Sequence, residues 1–152
     1  MPNRLRIVLA ALLVLPALAI ACSGGESSDE DFVAELCEAS TKLSTDLGAA
    51  VKQASAETDP SKSVEALIPP LDAFLKAFND ASPPKDLKEW HDDASAQIEA
   101  AIAKFKAEKT LASLEGFGDS PVPDPPAEEK QRLRDAAGEV DGCTGVAFLK
   151  PG

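Results

Sequence analysis

From residue 31 onward, apolar residues recur at the three-, four- and seven-residue steps of an α-helix, and no stretch alternates convincingly in the two-residue rhythm of a strand. The first such stretch predicts a helix over residues 31–56, with Val33, Leu36, Leu43, Leu47, Val51 and Ala54 on one face. Asp29, Glu30 and Asp31 stand where the positive end of the helix dipole favours negative charge. A second helix is expected from Asp59-Pro60, with Asp59 as its cap and Val64, Leu67 and Ile68 inward. Pro69 and Pro70 should break or kink it, since proline lacks the amide hydrogen and crowds the preceding turn. It resumes with Leu71, Phe74, Leu75 and Phe78 and stops near Asp80.

A third helix is expected over residues 86–114, on the order of 43 Å long at the α-helical rise. Its face is Leu87, Trp90, Ala94, Ile98, Ala101, Phe105 and Ala112, with Gly116 and Gly118 ending it. A proline-rich loop over residues 118–126 leads to a fourth helix over 127–141, with Leu133, Ala136, Ala137 and Val140 inward and Gly142 closing it. Val146, Phe148 and Leu149 should lie back on the helices. The three double prolines, Pro69-Pro70, Pro83-Pro84 and Pro125-Pro126, each have an acid shortly after them, a pattern of helix starts or kinks. The abundance of alanine and the lack of tyrosine agree with an all-α chain. The fold expected is an antiparallel up-down four-helix bundle with a kinked second helix.

The first residues follow a different pattern. Arg4 and Arg6 make a short basic start, and residues 7–21 carry no charge before Cys22. That run falls short of the roughly 20 residues a membrane-spanning helix needs, and Pro16 interrupts it. A basic start, a short apolar run and small residues before a cut describe a secretory signal peptide.

Leu18-Ala19-Ile20-Ala21-Cys22 resembles the lipobox of bacterial lipoproteins. Ala21 supplies the small residue before the cysteine, while Ala19 stands where that family usually has leucine. The resemblance covers the signal and its cut site and none of the folded body. It implies that residues 1–21 are removed as a signal peptide, that the Cys22 thiol carries a diacylglyceryl group, and that at least two acyl chains hold the protein on a membrane, where one would bind only marginally. Residues 23–30, rich in Ser, Gly and acids, read as a flexible polar tether with an r.m.s. reach of about 15 Å. Residues 22–30 are thus the lipidated cysteine and tether, and residues 31–152 the helical domain. In its alanine- and proline-rich composition the body is similar to small helical lipoproteins of high-GC Gram-positive bacteria.

With Cys22 lipidated, Cys37 and Cys143 remain. An even pair in an exported chain favours a disulfide. A closed loop on the order of 100 residues is worth about 4.7 kcal/mol by the chain-entropy argument. The alternatives are two buried thiols or a metal pair, and two cysteines with one histidine make a poor zinc set. The bundle topology and the pairing support each other, because it sets the start of the first helix beside the end of the fourth.

The chain has 152 residues, 15 basic and 26 acidic, and a net charge of −11. One domain fits this length. The acidic balance and the absence of a Lys/Arg cluster argue against nucleic acid as a partner. His91 is the one histidine; beside an inward Trp90 it is expected to face solvent, and Lys88 three residues before it removes the Glu-x-x-His of iron bundles. Ser82-Pro83-Pro84-Lys85 matches Ser-x-x-Lys, but the companion Ser-Asp-Asn and Lys-Thr-Gly are missing, and chance accounts for the match. No phosphate loop, dinucleotide fingerprint, Gly-x-Ser-x-Gly, EF-hand loop or His-Glu-x-x-His occurs. No catalytic residue, metal ligand or cofactor is therefore expected. The function expected is a membrane-anchored, non-enzymatic binding or interaction module of the cell envelope, with an envelope protein or a small ligand as partner. The alternative is a small-ligand or metal carrier, its pocket opening at Pro69-Pro70 near Phe74 and Phe78.

Overall fold

The computed structural model describes residues 27–113, 122–141, 143, 146 and 149. The expected signal segment, Cys22, Gly116, Gly118, Gly142 and Phe148 lie outside them. Five α-helices follow in order: α1 Asp29–Ala56, α2 Pro60–Glu65, α3 Ile68–Asp80, α4 Lys88–Glu108 and α5 Ala127–Ala137, with a 3-10 turn at Lys85–Leu87 before α4. Every regular element among the described residues is helical.

Local chemistry sets the helix ends. α1 begins two residues before the expected start, because Ser28 caps it. The Ser28 hydroxyl oxygen accepts from the Asp31 amide at 3.1 Å and its hydrogen goes to the Asp31 carboxylate at 2.9 Å. Asp59 caps α2 by accepting from the Ser61 amide at 2.9 Å. The break between α2 and α3 falls at Ala66-Leu67, ahead of the prolines. Pro69 and Pro70 sit in the first turn of α3, where an amide hydrogen would have no helical partner. They start that helix instead of bending it.

α4 stops at Glu108, short of the expected residue 114. Lys109 adopts the left-handed conformation at φ 50° and ψ 42°, its amide bonded to the Phe105 carbonyl at 2.8 Å. The cause is legible in the burial pattern. The apolar stripe ends at Phe105, Ala112 is exposed, and Leu111 is 65% exposed, so a further turn would bury nothing. α5 likewise ends at Ala137; beyond it Glu139 and Val140 bond three residues back, a tightened final turn.

α1 packs along α3 and α5, and α3 packs on α4. Contacts between α1 and the α2–α3 pair run in opposite order. Glu35 near the start of α1 accepts from the Ser82 amide just past α3 at 2.7 Å, and Ser63 in α2 donates to the Ala54 carbonyl near the end of α1 at 2.9 Å. α3 and α4 are also matched in opposite order, with Phe78 beside His91 and Asp72 paired with Lys106 at 2.6 Å. α5 departs from the expected alternation. Arg132 meets Asp29 and, farther on, Cys143 meets Cys37, so this segment follows α1 in the same order. The long connection after α4 allows this, since it is ample to re-cross a helix of roughly 32 Å before α5 begins.

The core joins Phe32, Val33 and Leu36 of α1, Leu71, Phe74 and Phe78 of α3, Ile98, Ile102 and Phe105 of α4, and Leu133 of α5. Val146 and Leu149 are buried on it, as the sequence suggests. Val51 is not part of it. It is 53% exposed, and Ala50 takes the inward position: Leu36, Leu43 and Ala50 lie seven residues apart, a drift of only about 20° per step, whereas the eight residues from Leu43 to Val51 turn the side chain about 80° off that line.

Candidate functional site

Two constellations stand out, and both lie where α1 and α4 begin. The first is a ring cluster. Phe32 meets Trp90 and His91 edge-on, at centroid distances of 6.3 and 5.8 Å. His91 stacks on Phe78 at 4.6 Å and 15°, and Phe74 meets Phe78 at 6.2 Å. His91 is 5% exposed, so the expectation that it faces solvent is overturned. The stripe of α4 runs Leu87, His91, Ala94, Ile98, Ile102, Phe105, every step three or four residues, and the ring falls on it. Trp90, expected fully inward, is half-buried at the edge of this stripe. The Nε2–H of His91 donates to the Phe78 carbonyl at 2.8 Å. That carbonyl lies in the last turn of α3 and also accepts from the Ala81 amide at 3.2 Å, so both of its lone pairs are used. His91 is thus a buried polar group with its partner, tying α4 to the end of α3.

The second constellation is the bridge and its neighbours. Cys37 and Cys143 are joined, with Cα atoms 5.2 Å apart, within the range a disulfide spans. At the same end, Arg132 of α5 holds two carboxylates. Its Nε lies 2.7 Å from Asp29 of α1 and its Nη1 2.6 Å from Asp86 ahead of α4. The Arg132 guanidinium holds the Asp86 carboxyl below its ordinary value, and Asp86 in turn raises Arg132. One side chain thereby links the starts of α1 and α4 to α5. Neither this arginine nor the Glu35–Ser82 bond is legible from helical periodicity, because both pairings span more than 40 positions.

Among the described residues, open depressions include the following three. One, about 260 Å³, lies between α1 and α3 and is lined by Glu35, Glu38, Lys42, Ala77 and Asp80 among others. A second, about 390 Å³, is lined by Arg134, Gly138, Cys143 and Leu149. A third, about 580 Å³, is lined by Cys37, Thr41, Lys42 and Val140. None of the three involves Pro69, Pro70, Phe74 or Phe78. Phe74 and Phe78 are 3% and 0% exposed, so these rings fill the place where the sequence suggests an opening.

Ser82 is exposed and its amide is taken by Glu35. Among the described residues no group of three His, Cys, Asp or Glu is placed to hold a metal ion. Among the same residues no helix is long and apolar enough to cross a membrane. The predicted lipid site, Cys22, lies outside the described residues; the predicted pair, Cys37 and Cys143, is brought together. Comparison with protein-family models, with curated proteins and with solved structures finds no match to this chain.

Proposed function

We propose that this protein is an extracytoplasmic lipoprotein, held on a bacterial membrane by lipid on Cys22, whose helical body is a non-enzymatic binding or interaction module of the cell envelope. One observation carries the reading. An uncharged run ends at Ala21-Cys22 and passes through a short Ser/Gly/acid segment into the cap of α1 at Ser28. A disulfide joining Cys37 to Cys143 supports it, since such bonds persist in oxidising, exported compartments. In this reading α1, the α2–α3 pair and α4 form an up-down-up unit, and α5 lies on α1 with the lipid tether at the same end. The filled ring cluster favours a partner that meets the outer surface over a ligand enclosed among the helices.

The test is the intact mass of the protein taken from its native membrane, with and without reductant. The expected result is the mass of residues 22–152 plus acyl groups, rising by about 2 Da when the bridge takes up two hydrogens. A mass without lipid would remove the anchor from the reading and make the protein freely secreted.

A further inference from the structure

α1, α3 and α4 share a core to which α5 contributes little. The rings Phe32, Phe74, Phe78, Trp90 and His91 all come from these three helices. Leu71, Ile98, Ile102 and Phe105 extend the same core. α5 is shorter, with 11 residues, and buries only Leu133 and Ala136. Its polar ties run through Arg132 to Asp29 and Asp86, and partly exposed ion pairs of this kind hold weakly. What fastens α5 and the segment after it is the covalent link from Cys143 to Cys37. The two sulfurs are unequally covered. Cys37 is 5% exposed, whereas Cys143 is half-buried. Each cysteine also lines an open depression, so a thiolate can approach the bridge from the surface.

We propose that the Cys37–Cys143 bridge is a redox latch. In the oxidised protein it holds α5 against α1 and keeps Val146 and Leu149 on the core. On reduction this unit lifts away while α1, α3 and α4 stay folded, uncovering Cys37 and the apolar face of α1 against which α5 packs. The reductant is a dithiol. One of its thiolates attacks Sγ of Cys143, the more accessible sulfur; the S–S bond breaks, and Cys37 leaves as a thiolate that takes up a proton. The second thiol of the reductant then attacks the mixed disulfide, releasing Cys143, which is protonated in turn. Two electrons and two protons reach the protein, and the reductant ends as a disulfide. The latch goes beyond the anchor reading and does not depend on lipid at Cys22.

Amide hydrogen exchange read by mass spectrometry tests it on the full chain, oxidised and then reduced with dithiothreitol without denaturant. The bridge should open under these conditions. Peptides from α5 should exchange on the order of a hundredfold faster after reduction, while those from α3 and α4 change by less than about threefold. The chain with both Cys37→Ser and Cys143→Ser should reproduce the reduced pattern. Three results would overturn the latch. One is a bridge that opens only in denaturant. Another is α5 protection that reduction leaves unchanged. The third is protection lost throughout α3 and α4, or a double variant that does not fold, since the bridge is then a staple for the whole fold.

Discussion

His91 shows how a single residue can carry the packing logic of this chain. Its ring is sandwiched between Phe78 and the edge of Phe32, and its Nε2–H answers a carbonyl at the end of α3. Replacing it with alanine removes a packed ring and a buried hydrogen bond together. His91→Ala should therefore lower the unfolding free energy by about 2–4 kcal/mol, measured by urea denaturation. An unchanged urea midpoint would mean the ring contributes no packing. Arg132 works differently, on partly exposed partners. The hydrogen bond from Arg132 holds the Asp86 carboxyl below its ordinary value of 3.8. A carboxyl with a depressed folded-state pKa contributes stability that is complete above the unfolded value and is lost as pH falls through the folded one. The pair should add less than about 1 kcal/mol, since half of Asp86 is solvent-exposed. The urea midpoint of the native chain should exceed that of Asp86→Asn at neutral pH, and the two should converge in acid well below 3.8. A gap that persists in acid would mean the charge is not what matters.

At the scale of elements, helix existence is written in apolar spacing, while helix ends depend on what each terminal turn can bury or bond. α1 and α4 follow their stripes, and α4 ends where its stripe ends at Phe105. Lys109, the next residue to be fixed, takes a left-handed backbone that glycine occupies more readily. Its side chain returns a little by reaching Glu65 at 2.5 Å, between two groups that are each nearly half exposed. The backbone effect is larger than a surface pair of this kind. Lys109→Gly should thus raise stability by about 0.5 kcal/mol, seen as a higher melting temperature by circular dichroism. A fall would show the Glu65 pair to outweigh the backbone. The double prolines, read as helix starts or kinks, stand at starts where Pro126 occupies the N-cap position of α5 and Pro84 precedes the turn before α4. At Pro69-Pro70 both outcomes, a kink and a start, are compatible with the sequence. The Ala66-Leu67 break chose the start, because Leu67 is buried there and Leu71, Phe74 and Phe78 then align inward.

For the molecule as a whole, the sequence by itself determined the helical class, the number of long helices and most of the core. Each follows from the local spacing of apolar side chains, which the α-helical period turns into a face without reference to any other segment. It left Cys37 and Cys143 as the expected pair only on the proposal that Cys22 carries lipid, and the structure joins them. Only the tertiary structure decided the inward turn of His91, because a histidine is at home on either face until a carbonyl partner is present. The tertiary structure alone decided that α5 follows α1 in the same order. The connection from Lys109 to Pro126 is long enough for either direction, and the choice rests on where Leu133 and Ala136 find cover and where Cys143 can reach Cys37. The clamp of Arg132 on Asp29 and Asp86, and the seat of Ser82 on Glu35, are long-range pairings of polar residues at the surface, exposed or half-buried. Such residues carry no periodic signal, because the solvent-facing side of a helix accepts nearly any polar side chain, and their partners are fixed only when the packed core brings them within a hydrogen bond of each other.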